Sequence, residues 1–433
     1  MRILIKNGLV IDPANNIHSQ ENIYIEAGRI VALGSKPDGF KPQKEIDASD
    51  KIVCPGLVDL CARMREPGHE QKADITSETK AAAASGITTL CHPPDTQPII
   101  DTPAVAELIY RQSQQAGYAT VLPIGALTKQ LNGQELSEMA TLQDAGCIGV
   151  ANIRPINDTN VLRRALEYAA TFNITVFLTP QDAWLAQDGC AHDGPVATQL
   201  GLPGIPASAE TSVVAKVIAL VEEIGVRVHF LHLSTARAAQ MIGRAQYDGH
   251  KISCDVCAHQ LFLTEMDLDD YNSNCHVIPP LRSQRDKEGL RETLSKNIIS
   301  CITSDHQPHE ADAKNMPFGA TEPGISSLET LLPLTLKLVE EGVVSLPKAI
   351  ARLTSGPAKV LGLDSGTLTC GEQADICIFD PEKIWTFKHK DIVSRGHNTP
   401  FIDWQFKGKV THTLHTGRIV YEQKNESKKK KHG

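Results

Sequence analysis

The feature that most constrains the fold is a regular alternation of strand-like and helix-like segments through the middle of the chain. Eight short apolar runs, typical of buried strands, are separated by amphipathic segments with helical periodicity. This alternation predicts an α/β fold with a parallel sheet, and eight strand–helix units predict a (β/α)8 barrel of the TIM type. The predicted strands are 57–62, 87–91, 119–124, 147–150, 174–178, 226–233, 251–257 and 298–304, and the predicted helices include 75–84, 103–115, 161–171, 207–224 and 235–247.

Both ends of the chain have another pattern, of short β-like runs separated by Gly, Asn and Asp turns. Neither end holds enough strands for a sheet of its own, so one small β-sandwich built from both termini is the economical arrangement. We therefore predict a composite β-sandwich from residues 1–55 and 361–423, with the barrel, 56–360, inserted between them. The last segment, 424–433, is predicted to be a disordered basic tail because its lysine run, 428–431, has no apolar neighbours to pack against.

Composition limits the classes of function. The formal charge of −8 argues against a general nucleic-acid binder, and no run approaches the roughly 20 apolar residues of a membrane span. The chain begins with a strand and a turn, not with the pattern of a signal peptide. Eleven cysteines, an odd number without framework spacing, indicate free thiols and a reducing compartment. We expect a cytoplasmic protein that binds neither nucleic acid nor membrane.

The end of the first barrel strand carries the most informative side chains. The apolar run 52–60 predicts a buried strand, which stops at the Arg-Glu-Pro-Gly sequence of residues 65–68. Side chains two residues apart in a strand point the same way. Asp59, Cys61 and Arg63 are therefore expected on one face at the strand's carboxyl end, where barrels of this type hold their active sites.

Residues 55–68 resemble the opening motif of the dihydroorotases, a family of cyclic amidohydrolases, which runs Pro-Gly-Leu-Val-Asp-x-His-x-His-x-Arg-Glu-Pro-Gly. The frame is kept, but Cys61 and Arg63 stand where the family has two metal-binding histidines. The resemblance covers nearly the whole chain. Its most specific later pieces are Thr-Ser-Asp-His-Gln-Pro-His at 303–309, against the family's Thr-Asp-His-Ala-Pro-His; Pro-Pro-Leu-Arg at 279–282; His-Phe-Leu-His-Leu-Ser-Thr at 229–235; and Val-Cys-Ala-His-Gln-Leu at 256–261.

The resemblance implies a binuclear metal site, most of whose ligands are missing here. The position of the family's bridging carboxylate falls in a stretch that holds Asn152 and no acid, and the fifth-strand histidine falls at Thr179. His232 and Asp305 are retained. Hydrolysis of a cyclic amide needs a metal-bound hydroxide and a carboxylate that moves a proton, and catalytic zinc needs about three protein ligands. We therefore expect a metal-free site without a cofactor, with Asp305 as a vestigial catalytic residue.

Substrate recognition also departs from the family. Asp95 stands where the family has an asparagine that contacts a substrate carboxylate, and Ile278 replaces the asparagine before Pro-Pro-Leu-Arg. Arg65 is what remains of the expected anion-binding set. The resemblance thus implies a vestigial pocket around Arg65 and Asp95, in which dihydroorotate would meet one favourable charge and one repulsive charge.

Two hypotheses about function follow. The first is a catalytically inactive dihydroorotase-like protein of pyrimidine biosynthesis, oligomeric, that serves as a structural subunit for aspartate carbamoyltransferase, the partner that resemblance to the pseudo-dihydroorotases implies. The second is an active cyclic amidohydrolase, a dihydroorotase or a relative of hydantoinase or allantoinase, with an atypical zinc site of Cys61, His232 and Asp305. Because a buried carboxylate persists only if its charge is compensated, the first hypothesis predicts that Arg63 occupies the vacated metal position and pairs with Asp305.

Overall fold

The computed structural model describes residues 1–424, so the predicted basic tail, 424–433, lies outside the described residues except for Lys424. The strands are β1 (Arg2–Asp12), β2 (Ile17–Glu26), β3 (Arg29–Leu33), β4 (Lys44–Asp47), β5 (Ile52–Pro55), β6 (Leu57–Asp59), β7 (Ile87–His92), β8 (Thr120–Pro123), β9 (Gly125–Ala126), β10 (Val150–Asn152), β11 (Val176–Leu178), β12 (Ala191–His192), β13 (Gly204–Ile205), β14 (Val228–Phe230), β15 (Ile252–Cys257), β16 (Cys301–Thr303), β17 (Ile376–Thr386), β18 (Gln405–His415) and β19 (Arg418–Glu422). The α-helices are α1 (Ile75–Ala84), α2 (Pro103–Ala116), α3 (Met139–Asp144), α4 (Thr159–Thr171), α5 (Ala183–Ala186), α6 (Pro195–Leu200), α7 (Ser208–Ile224), α8 (Ala236–Tyr247), α9 (Gln284–Ser295), α10 (Leu328–Glu340), α11 (Leu346–Leu353) and α12 (Ser355–Leu361).

The middle of the chain forms the predicted ring of parallel strands. One sheet contains β6, β7 and β8, and a second contains β9, β10, β11, β14, β15 and β16. The chain passes directly from β8 to β9 through Ile124, whose amide donates to the carbonyl of His92 at 2.9 Å. On the other side, Ala62 forms a parallel bridge with His306, and the amide of Arg63 donates to the His306 carbonyl at 2.9 Å. The ends of β6 and β16, which carry the candidate site, therefore lie side by side.

Helix boundaries follow the capping signals of the sequence. Asp74 caps α1 by accepting a hydrogen bond from the Ser77 amide at 2.7 Å, and the predicted range 75–84 is the observed one. Proline begins α2 and Gly117 ends it with a φ of 68°. The prediction was wrong for strand β10, which was expected at 147–150 and lies at Val150–Asn152. The segment before it is a turn after α3, where Gly146 has a φ of 94°.

Strands from both termini form one eight-stranded sheet in the order β19-β18-β17-β5-β1-β2-β3, with β4 paired to β1. The two ends of the chain meet where β5 pairs antiparallel with β17, Cys54 opposite Cys377. This sheet has its own apolar core, in which Ile3, Ile23 and Ile376 are fully buried. The union of the two termini in one β unit agrees with the predicted architecture. In residues 1–424 no helix is long and apolar enough to cross a membrane.

Candidate functional site

A buried aspartate joins the first and last barrel strands below the candidate site. Asp59, at the end of β6, is fully buried and accepts hydrogen bonds from the Thr303 hydroxyl at 2.6 Å and the Ser304 amide at 3.0 Å, and also from the Ser304 hydroxyl. Burial raises the pKa of the Asp59 carboxyl, although these donors act against the rise. The contacts fix the strand ends from which Cys61 and Asp305 extend.

A second buried acid, Glu210 of α7, orders the turn after β14. Its two carboxylate oxygens accept from the amides of Ser234 and Thr235, both at 2.9 Å, and from both hydroxyl groups. The amide of His232, in turn, donates to Asp255 at 2.6 Å. His232 and Asp305 both have positive φ values, 56° and 45°, which non-glycine residues adopt only when their surroundings hold them there.

Arg63 bridges the carboxylates of Asp95, which is half-buried, and Asp305, which is buried. Its Nε donates to Asp95 Oδ2 at 2.7 Å and its Nη1 to Asp305 Oδ1 at 2.8 Å. The exposed fraction of the side chain is 11% for Arg63, 20% for Asp95 and 3% for Asp305. The predicted pairing of Arg63 with Asp305 is confirmed. The pairing with Asp95 was not foreseen.

The charges of this cluster stabilise one another. Burial opposes charge on Asp95, but Arg63 outweighs it and holds the pKa of Asp95 below its ordinary value. Burial likewise opposes charge on Asp305, where His232 and Arg63 outweigh it and lower the pKa of that carboxyl. The two carboxylates overcome the burial of Arg63 and raise the pKa of its guanidinium well above the ordinary value. The guanidinium is therefore a permanent cation at the centre of the site.

The second oxygen of Asp305 also has a partner. Gln307 Nε2 donates to Asp305 Oδ2 at 3.0 Å. Gln307 is the residue that replaces alanine in the family's late motif, just as Arg63 and Asp95 replace a histidine and an asparagine. The three departures thus form one connected chain of contacts: Asp95, Arg63, Asp305, Gln307.

Potential metal ligands lie around the same guanidinium. The ligand atoms of Cys61, His232 and Asp305 are all within 4.8 Å of one another. Cys61 Sγ and His232 Nε2 each lie 3.7 Å from Asp305 Oδ1. Arg63 Nη1 lies closer to that oxygen, at 2.8 Å, and is 3.9 Å from Cys61 Sγ. Burial raises the pKa of the Cys61 thiol well above its ordinary value, whereas zinc binds the thiolate.

The residues as placed do not fit a metal ion, because a dication held by these three ligands would lie against the Arg63 guanidinium. His232 Nε2 has no hydrogen-bond partner among the described residues, so His232 is not an ordinary buried histidine with both ring nitrogens bonded. His259, which the sequence did not single out, is buried with an unpartnered Nδ1, and burial lowers its pKa to about 4. In the sequence, the only indication of a role for His259 was its position in the segment 256–261, which resembles a family motif.

The other predicted site positions are engaged elsewhere. Asn152 accepts from the Thr128 hydroxyl at 2.7 Å and donates to the Arg154 carbonyl at 2.7 Å. Thr179 follows β11 and is half-buried. Arg65 donates through Nε to the Pro308 carbonyl at 3.0 Å, and burial lowers the pKa of its guanidinium to about 10. The structure therefore brings together Cys61, Arg63, Asp95, His232 and Asp305, but leaves Asn152, Thr179 and Arg65 outside that group of contacts.

Comparisons with known proteins agree with the fold and the motifs. A family model described as dihydro-orotase-like matches residues 50–238. A dihydroorotase-like protein of Pseudomonas aeruginosa is 48% identical over 98% of this chain and 100% of that protein, and a dihydroorotase of Syntrophotalea carbinolica is 43% identical over 97% of this chain and 99% of that one. An L-hydantoinase structure from Arthrobacter aurescens superposes with a TM-score of 0.87 at 23% identity, over 97% of this chain and 96% of that chain. The predicted barrel with a terminal β-sandwich is confirmed.

Replacing Arg63 by methionine tests the ion-pair network. The variant leaves the buried carboxylate of Asp305 and the half-buried one of Asp95 without their cation, so we expect it to lose about 3–5 kcal/mol of unfolding free energy at pH 7. Both carboxyls have lowered pKa values in the native protein. The stability that they contribute is present above the unfolded pKa, near 4, and is lost as the pH falls through their folded pKa values. The difference in unfolding free energy between wild type and variant, measured by urea unfolding, should therefore become smaller below about pH 4.

The matched control is the triple variant Arg63→Met, Asp95→Asn, Asp305→Asn, which removes the stranded charges together with the cation. It should be more stable than Arg63→Met alone. A cost for Arg63→Met of under about 1 kcal/mol at pH 7, or one that does not change with pH, would contradict the network.

Proposed function

Because this chain belongs to the dihydroorotase-like family of pyrimidine metabolism, we propose that it is a member that no longer hydrolyses cyclic amides and serves as a structural subunit for aspartate carbamoyltransferase. The family is shown by relatives 48% and 43% identical over nearly the whole chain. The loss of catalysis and the structural role are the proposal. The eleven cysteines are all free, which supports the further proposal of a reducing, cytoplasmic compartment.

The observation that carries the proposed inactivity is the position of the Arg63 guanidinium. It lies 2.8 Å from Asp305 Oδ1 and 3.9 Å from Cys61 Sγ. A metal ion at this site would have to bind both of these side chains. Arginine has no lone pair to offer a metal and does not deprotonate. Without a metal, the site has neither the Lewis acid nor the bound hydroxide that cyclic amide hydrolysis needs. Asp305, whose family role is to move the proton, is held by an arginine and an amide instead.

Two features support the structural role. The fold of the family is kept along the whole chain, including the barrel and the β-sandwich. At the positions that carry catalysis in the family, by contrast, this chain has side chains that contact one another and hold together the carboxyl ends of the barrel strands, the barrel mouth. Preservation of the fold with loss of the ligands is expected of a protein whose surface, not its active site, is used. Aspartate carbamoyltransferase is the partner that resemblance to the pseudo-dihydroorotases suggests, and self-association into an oligomer would accompany that role.

An active cyclic amidohydrolase is the second candidate. One observation favours it: Cys61, His232 and Asp305 present three ligand atoms within 4.8 Å of one another, the number that a catalytic zinc site requires. For zinc to bind there, Arg63 would have to leave both of its carboxylate partners, and the Cys61 thiol would have to ionise. The candidate therefore depends on a rearrangement of the mouth, with zinc as its cofactor.

Hydrolysis of dihydroorotate separates the two candidates. We expect the purified protein, supplied with zinc, to hydrolyse dihydroorotate no faster than its own Asp305→Asn variant, because Asp305 moves no proton in the proposed account. The measurement is the formation of carbamoyl aspartate. A wild-type rate clearly above that of Asp305→Asn would contradict the proposed inactivity and favour the zinc enzyme.

Assembly with aspartate carbamoyltransferase tests the structural role. We expect the carbamoyltransferase of the same source to be unstable or misassembled when produced alone, and to form a complex of defined mass when produced with this chain, as measured by light scattering after size exclusion. Thr179→Ala is the matched variant, because it changes a half-buried former ligand position outside the Arg63 network, and it should support assembly as well as wild type does. Normal assembly and activity of the carbamoyltransferase without this chain would count against the role.

A further inference from the structure

A second concave site lies at the opposite end of the barrel from Arg63. It is a cavity of about 400 Å³ at the amino ends of four neighbouring strands. Thr175 precedes β11, Arg227 precedes β14, Lys251 precedes β15 and Ser300 precedes β16, and all four line the cavity. The site around Arg63 is at the carboxyl ends of the barrel strands, among them β14 and β16, so the two sites are separated by the length of the barrel.

The cavity is lined by basic side chains without acidic neighbours. Five basic residues take part, and the other lining residues are neutral. Within residues 1–424, none of the five has a carboxylate within 4.0 Å, whereas many other cations of the chain are paired. Because the chain as a whole has a formal charge of −8, this concentration of positive charge is not a consequence of composition. The five are Arg227, His250, Lys251, Arg352 and Lys359.

Arg352 lines the cavity with a guanidinium whose hydrogen-bond donors are not all used by the described residues. Its Nη2 donates to Asn297 Oδ1 at 2.6 Å, which fixes the guanidinium, but its buried Nε has no hydrogen-bond partner among the described residues. Buried donors normally have an acceptor. Arg227 is also held in place, through donation from Nη2 to the Asn173 carbonyl at 2.5 Å. Two oriented guanidinium groups and two exposed lysines thus line one concavity.

We propose that this cavity binds a phosphorylated small molecule that carries two or three phosphate groups. Oriented guanidinium groups bind phosphate oxygens through paired hydrogen bonds, and lysines add mobile positive charge. Four permanent cations match the several negative charges of a di- or triphosphate better than those of a single carboxylate. The volume lies in the range of small-molecule pockets, about 300–1,000 Å³, and the concave shape favours a compact ligand over an extended acidic peptide. The inference does not depend on whether the barrel mouth is catalytic.

Isothermal titration calorimetry tests the proposal. The full-length protein is titrated with inorganic pyrophosphate and, separately, with tripolyphosphate. We expect one site per chain with affinity that falls as salt rises. The double variant Arg227→Gln, Lys251→Gln should bind at least about tenfold more weakly, since each charged hydrogen bond lost weakens binding by about that factor or more. Lys359→Gln, an exposed single change that does not threaten folding, should weaken binding in the same direction.

Two matched controls make the result specific. Arg237→Gln with Arg285→Gln removes two exposed cations from other helices, and glutamine at all four positions of 428–431 removes the basic tail. Both variants should bind like wild type. Absence of binding, binding that the cavity variants do not weaken, or binding lost only with the tail would overturn the proposal. Binding of a hexaglutamate peptide without binding of pyrophosphate would also overturn it, in favour of an acidic protein segment.

Discussion

The structure of the barrel mouth depends on the charge of one buried carboxylate, Asp305. With 3% of its side chain exposed, it can stay ionised only beside a compensating cation. In the dihydroorotases that this chain resembles, a metal provides that charge. Here the Arg63 guanidinium, at 2.8 Å, provides it from the neighbouring strand. The same guanidinium also lies 3.9 Å from Cys61 Sγ, a potential metal ligand, so the proposed loss of the metal site and the stability of the barrel mouth would have one cause.

The departures from the family motif are coupled to one another. A lone arginine in place of the second histidine would bring one buried positive charge to one carboxylate. Asp95 accepts from the same guanidinium at 2.7 Å and Gln307 donates to the free oxygen of Asp305 at 3.0 Å, so that donors and acceptors are matched across three strand ends. Such a network is expected to lose more on removal of one member than the sum of isolated contacts suggests. These matched contacts are what the proposed loss of catalysis rests on.

The sequence predicted the fold well because its signals are local. The helical periodicity of the amphipathic segments placed α1 and α7 within a residue, and apolar runs placed the barrel strands, with β10 as the exception after a glycine turn. The pairing of Arg63 with Asp305 followed from the family resemblance and the need to compensate a buried charge. The roles of Asp95 and Gln307 did not, because nothing in the sequence shows that Asp95 accepts from the same guanidinium or that Gln307 donates to the second oxygen of Asp305. The spacing of residues in the sequence does not show which strand ends face each other, or which carboxylate oxygen is left without a partner.

The most direct test of this account is the zinc content of the purified protein and of Arg63→Ala, by elemental analysis after mild dialysis. The account predicts wild-type protein with far less than one zinc per chain, and a higher zinc content in Arg63→Ala, because removal of the guanidinium frees Cys61, His232 and Asp305 to bind. One equivalent of zinc in the wild-type protein, or no gain in Arg63→Ala over wild type, would contradict the claim that Arg63 takes the place of the metal.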